Sequence, residues 1–196
     1  MTPIEIVVDV SRRLRDRSIR HLIGGSFASS AWGEIRTTND VDVAILLLEG
    51  QAPAVTSAFD PPYRVSPDQI EQALQKPGIY RLANAMHTEE AFRVDLFFAQ
   101  HDPYTLTEFA RGRELEPVQG TKVPFAAPEN IVLQKLRWFN ETNRKSDRQW
   151  NDVVRVLEFQ RMDLDYTYLN HWAQELGLEE LLREALAQRT DEDPFA

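Results

Sequence analysis

The sequence predicts a mixed α/β core followed by a helical domain. Three observations carry that expectation: two apolar runs that alternate with period two, a glycine turn between a short apolar run and a helix start, and a change of composition near residue 120. Thr2-Pro3-x-Glu5 reads as a capping box with proline in the first turn. Ile4, Val7, Val8, Ser11 and Leu14 then give a helical face to about Arg17. Ile19 to Ile23 reads as a short strand that runs into Gly24-Gly25, where missing side chains permit unusual backbone angles and close approach of a ligand. Ser26 opens the next helix, and the order strand, glycine turn, helix N-terminus presents free backbone N–H groups to an anion.

Asp40 to Leu48 alternates and is strongly apolar. It places Val41, Val43, Ile45 and Leu47 on one face and Asp40, Asp42, Ala44 and Leu46 on the other, as in a central strand. Residues 49 to 66 carry Gly50, Pro53, Pro61 and Pro62 and read as a loop, after which Ser66 caps a short helix to about Gln75. Ile79 to Met86 and Phe92 to Phe98 read as two strands joined around residues 87 to 90, the second with Arg93, Asp95 and Phe97 on one face. A hairpin follows between 113 and 126, turning at Gln119-Gly120. Beyond it lie helix signals: Pro128-Glu129 opens a helix with Ile131, Val132, Leu133, Leu136 and Phe139, and Ser146 with Gln149 opens one that buries Trp150, Val153, Val154 and Leu157. Asp165 caps a third that ends near Gly177, and Leu178 to Leu186 makes the last. The ending TDEDPFA reads as a loose acidic tail.

At 196 residues, 42% hydrophobic and 27% charged, the chain has the composition of a globular protein with one good core or a core and a helical appendage. Without cysteine it has neither a disulfide framework nor a thiolate zinc site, in keeping with a reducing compartment. Neither the start of the chain nor its longest apolar run, Val43 to Leu48, resembles a leader or a membrane span, so no membrane partner and a cytoplasmic location are expected. The formal net charge of −9 disfavours indiscriminate binding to phosphate backbones; two local basic stretches, Arg12, Arg13, Arg15, Arg17 and Arg20 and then Lys135, Arg137, Arg144, Lys145 and Arg148, read mainly as solvated helix faces.

The polar residues inside the apolar strands point to chemistry. On one strand Asp40 and Asp42 face the same side about 6.6 Å apart, within reach of one ion. Mg²⁺ takes oxygen ligands and bridges one or two carboxylates to substrate phosphates. Asp95 is a lone carboxylate in an otherwise apolar strand, costly unless bound to metal or paired with Arg93, Arg81 or a neighbouring backbone group.

Gly24-Gly25-Ser26, then Arg36-x-Thr38-x-Asp40-x-Asp42, then Asp95 on a separate strand, resembles the nucleotidyltransferase fold superfamily that includes DNA polymerase beta and the aminoglycoside nucleotidyltransferases. The R-x-T-x-D-x-D form looks most like the abortive-infection toxin-type nucleotidyltransferases. The resemblance implies a nucleotidyltransferase-like core with a small mixed sheet flanked by helices over residues 1–120. It implies a helical domain over 121–196 that closes the cleft. It further implies that Asp40, Asp42 and Asp95 bind metal and act in catalysis, that Gly24, Gly25 and Ser26 grip the nucleotide phosphates, and that Arg36 and Thr38 orient phosphate or cap the start of the strand. The segments APENIVLQKLRWF and SDRQWNDV extend it to Lys135 and Asp152 as nucleotide-site residues, beside the alternative of a surface ion pair. The expected activity is Mg²⁺-dependent (or Mn²⁺-dependent) transfer of a nucleoside monophosphate from a nucleoside triphosphate, such as ATP, to a hydroxyl of a tRNA 3′ end, a protein or a small molecule. A toxin role implies an antitoxin partner.

Other chemistries lack their motifs. His21, His87, His101 and His171 form no metal pair, Ser26 has no G-x-S-x-G elbow, and the turn has no P-loop lysine. Two other readings keep part of the pattern: a nucleotide-binding module of the same fold without turnover, and a glycosyltransferase that uses Asp-x-Asp with Mn²⁺, which leaves the Gly-Gly-Ser turn unexplained.

Overall fold

The structure is a computed structural model and describes residues 1–78 and 81–189. It confirms a mixed α/β fold with nine helices and a seven-stranded mixed sheet among the described residues. The chain divides into two compact units, residues 1–27 with 37–126 and residues 28–36 with 127–196.

The first unit holds the sheet, in the order β3-β4-β5-β2-β1-β7-β6. Its strands are β1 (Arg20–Ile23), β2 (Asp40–Leu46), β3 (Tyr63–Val65), β4 (Leu82–His87), β5 (Phe92–Phe98), β6 (Arg113–Val118) and β7 (Thr121–Phe125). β2 is central. It runs antiparallel to β1 and parallel to β5, and Val41, Val43 and Ile45 on its apolar face are fully buried with Val94 and Leu96 of β5. Helix α1 (Pro3–Arg15) starts at the Thr2 capping box, in which the Thr2 hydroxyl accepts from Glu5 N and the Glu5 carboxylate accepts from Thr2 N, and packs on β1, β6 and β7. Its buried stripe is Ile6, Val7, Val10, Ser11 and Leu14, whereas Ile4 and Val8, expected inside, sit at its margins.

The stretch 49–66 is not a plain loop. It contains α3 (Ala52–Ala58), with Pro53 in the first turn where a missing N–H costs nothing, and β3 follows a cis Pro61-Pro62 bond. Ser66 caps α4 (Pro67–Gln75) as expected, its side chain accepting from Gln69 N. Of the strand expected over 79–86, the first two residues lie outside the described residues, and residues 82 to 86 fall in β4, which runs from Leu82 to His87. An eight-residue helix, α5 (Pro103–Ala110), capped by Asp102 through Thr105 N, adds to the elements expected from sequence. The edge strand β6 carries Glu114, Glu116 and Pro117 and an irregular pairing between Leu115 and Val118, features that discourage pairing with another chain.

Helix α2 (Gly25–Trp32) begins in the first unit, and its residues from Ala28 onward belong to the second. That second unit is built on α6 (Pro128–Glu141), α7 (Asp147–Phe159), α8 (Tyr166–Glu175) and α9 (Glu179–Gln188). Ile131, Val132, Leu133 and Leu136 of α6 are fully buried, and α6 packs on α7 and α8. On α7 the buried apolar residues are Val153, Val156 and Leu157, with Glu158 buried beside them, so the expected Trp150 and Val154 lie at the border. Asp165 caps α8 by accepting from Tyr168 N, while its own N–H donates to buried Glu129. Residues 28–36 are held on α7: Gln160 Nε2 donates to Trp32 O at 2.9 Å, and the Arg155 guanidinium pairs with Glu34 at 3.0 Å. Among the described residues no helix is long and apolar enough to cross a membrane. The acidic tail lies outside the described residues.

Candidate active site

Strand register assembles the three aspartates. β2 and β5 are parallel and pair Asp42 with Asp95 and Asp40 with Arg93, while the antiparallel β4 pairs Asn84 with Asp95 and Met86 with Arg93. The sheet face opposite the Val41–Val43–Ile45 core therefore carries two three-strand rows, Asn84–Asp95–Asp42 and Met86–Arg93–Asp40.

Each carboxylate has a defined environment. Asp40 accepts from Thr38 Oγ1 at 2.6 Å on Oδ1 and from Arg93 Nη2 on Oδ2. Asp95, 7% exposed, accepts from Asn84 Nδ2 at 2.6 Å on Oδ1, and Arg93 Nε lies 2.8 Å from that same oxygen. Burial pushes the Asp95 carboxyl above its usual range, against Asn84 and Arg93, which pull it down. Of the two arginines expected as partners for Asp95, Arg93 is the one that pairs with it; Arg81 instead donates to Phe98 O and Leu74 O. Thr38 takes the local role of bracing the first carboxylate.

Asp42 sits against the glycine turn. Gly24 N donates to Asp42 O at 2.9 Å, and Gly25 follows with φ +52° as the first residue of α2. A Cβ on Gly25 would fall 1.6 Å from Asp42 Oδ2, so only glycine lets the turn and the carboxylate coexist. Ser26 is buried at the same helix N-terminus.

The remaining candidates form their own cluster in the second unit. The Arg36 fork donates from Nε to Asp152 Oδ1 at 3.2 Å and from Nη2 to Oδ2 at 3.1 Å, and Lys135 Nζ donates to Asp152 Oδ2 at 2.7 Å and to Gln149 Oε1 at 2.9 Å. Lys135 is 5% exposed, so it is not the helix-surface cation that sequence allowed. Burial alone would raise the Asp152 carboxyl, but Lys135 and then Arg36 overcome it and hold the group below its usual range.

The donor set fits a hard divalent cation in type, since three carboxylates and no soft ligand suit Mg²⁺ or Mn²⁺. In this arrangement, however, no group of three or more His, Cys, Asp or Glu among the described residues is placed to hold a metal ion. A guanidinium occupies the position of positive charge between Asp40 and Asp95. Sequence reasoning missed Asn84 and Gln149. Nothing local marks either, because each matters only through a partner brought by tertiary pairing.

The chain shares its fold with solved nucleotidyltransferases. The solution structure of the antibiotic-resistance factor ANT(2'')-Ia matches with a TM-score of 0.58 at 12% identity, over 95% of this chain and 95% of that one. The crystal structure of ANT(2'')-Ia in complex with adenylyl-2''-tobramycin matches at 0.54 and 13%, over 95% and 98%. An antigenic nucleotidyltransferase-like protein from Paracoccidioides brasiliensis matches at 0.52 and 16%, over 94% and 92%. At these identities the likeness is one of fold. No protein-family model matches the sequence, and no curated protein matches it.

Proposed function

We infer that the protein is a Mg²⁺-dependent nucleotidyltransferase that joins a nucleoside monophosphate from a nucleoside triphosphate to an acceptor hydroxyl. The observation that carries this reading is the register of β2 and β5, which sets Asp42 beside Asp95 with Asp40 on the same face, next to a strand–glycine–helix turn. Asp40, Asp42 and Asp95 are the residues that would hold Mg²⁺, or Mn²⁺ in its place. When bound, such ions neutralise charge on the attacking and leaving oxygens of an in-line displacement.

The chain's own groups account for the rest. The backbone N–H groups of Gly25 and Ser26, at the positive end of α2, and the Ser26 hydroxyl grip the triphosphate. Thr38 and Asn84 fix the directions of Asp40 and Asp95. Asp95, with its proton affinity raised by burial, takes the proton of the acceptor hydroxyl. The acceptor oxygen then forms a bond to the α-phosphorus, the bond from that phosphorus to the bridging oxygen breaks, and pyrophosphate leaves with the electron pair. Arg36, Lys135 and Asp152, braced by one another, are the second unit's candidate nucleotide-site residues.

Two features bear on the acceptor. The net charge of −9 favours a neutral or cationic acceptor over a polyanion. The R-x-T-x-D-x-D resemblance favours a tRNA 3′ end, in which case the protein is a toxin with an antitoxin partner. The test is transfer of label from each α-labelled ribonucleoside triphosphate to tRNA, to protein and to an aminoglycoside panel, with Asp40→Asn and Asp42→Asn as controls. Label on one acceptor, reduced in both variants by more than the roughly 10–100-fold typical of losing a mere supporting partner, is expected. Equal labelling by the variants refutes the assignment.

A further inference from the structure

We propose that Arg93 is a resident counterion that competes with the divalent cation for Asp40 and Asp95, so that cation loading requires its guanidinium to leave both carboxylates. The inference rests on the metal-dependent reading above and concerns what the site does before metal arrives. Arg93 stands opposite Asp40 in the β2–β5 register and two residues before Asp95 on the same face of β5. One guanidinium thus reaches both, with Nη2 on Asp40 Oδ2 and Nε 2.8 Å from Asp95 Oδ1. A guanidinium has five N–H donors and no lone pair, so it cannot join a metal's coordination shell. It takes the carboxylate lone pairs a cation needs, and its charge repels that cation.

Three further features fit a part that leaves rather than a permanent staple. The Arg93 side chain is 48% exposed, so its departure opens no hole in the core. Asp40 and Asp95 each keep a neutral anchor, Thr38 Oγ1 and Asn84 Nδ2, which holds its orientation once the guanidinium has gone. Met86, opposite Arg93 on β4, adds no competing carboxylate. Without metal, Arg93 then offsets the mutual repulsion of acidic groups crowded on one sheet face; with metal, that role passes to the ion.

The experiment is calorimetric titration of the full-length protein with MnCl₂ at fixed ionic strength, on wild type and Arg93→Met. The variant should bind Mn²⁺ about tenfold more tightly, because no pair of ion bridges has to be given up first. It should also melt at a lower temperature in metal-free buffer and gain more from Mn²⁺ than wild type does. Equal or weaker Mn²⁺ binding by Arg93→Met overturns the proposal while leaving the metal-dependent reading in place. Absence of binding in both proteins overturns the two together. A second measurement is read on wild type alone, so the stability of a variant does not enter: the Arg93 Nε–Hε resonance, assigned by its loss in Arg93→Lys, should shift as Mg²⁺ saturates the site. A resonance that stays in place at saturating Mg²⁺ overturns the proposal.

Discussion

Gly25 and Asp42 claim the same space: a Cβ on the glycine would lie 1.6 Å from Oδ2 and 2.4 Å from Cγ of the aspartate. The turn that ends β1 and the second carboxylate of β2 are therefore one structural unit. Gly25 also has φ +52°, a conformation that L residues adopt at a cost of about 1–2 kcal/mol. Gly25→Ala should lower unfolding stability by about 2–3 kcal/mol in denaturant melts and abolish nucleotidyl transfer by displacing Asp42. Gly120→Ala is the control. Its φ is +76° with nothing within 4 Å, so it should lose only about 1 kcal/mol and keep its activity.

Asp152 holds two cations at once, and its side chain is 12% exposed against 6% for Lys135 and 22% for Arg36. Asp152→Ala removes the carboxylate that both cations share and should destabilise the protein by about 3–5 kcal/mol. Lys135→Met in the Asp152→Ala background should cost less than in wild type, because the Lys135–Asp152 contact is already lost there. A double-mutant cycle on chemical denaturation reads this directly, and additivity of the two single effects would show that the pair is not coupled.

His21 gives a pH signature. Its Nδ1 faces Ile19 O at 3.0 Å and its Nε2 faces Ser11 Oγ at 2.8 Å, an arrangement that suits neutral imidazole with the proton on Nδ1 and the serine hydroxyl donating to Nε2. Burial pushes its pKa down to about 4, from about 6.5 in an unfolded chain. Between those values the unfolded chain holds a proton that the folded one does not, so this contribution is complete above pH 6.5 and is lost as pH falls toward 4. The loss amounts to about 3 kcal/mol, and His21→Gln should flatten that part of the stability profile. An unchanged slope in the variant would contradict the assignment.

Much of the candidate site was legible because it obeys local rules. Period-two alternation puts Asp40 and Asp42 on one face and Asp95 on the polar face of its strand, whatever the neighbours are. A short strand, two glycines and a helix start specify the turn, and the caps at Thr2, Ser66, Ser146 and Asp165 mark helix starts through hydrogen bonds of three residues' reach. Local rules also misled. Pro53 looked like a loop residue yet fits the first turn of α3, and Val154 fits the helical period of Trp150, Val153 and Leu157, yet it sits at the border while Val156 is buried.

What the sequence by itself determined is which faces carry carboxylates and where the Gly24-Gly25 turn falls, since both follow from backbone periodicity and from glycine's missing side chain. Only the tertiary structure decided their partners. Asn84 meets Asp95 through hairpin register, Arg93 bridges Asp40 and Asp95 through the pairing of strands 53 residues apart, and Arg36 meets Asp152 across 116 residues. The charge balance of a buried carboxylate depends on which groups folding brings within a few ångströms, and that distance has no representation in local sequence.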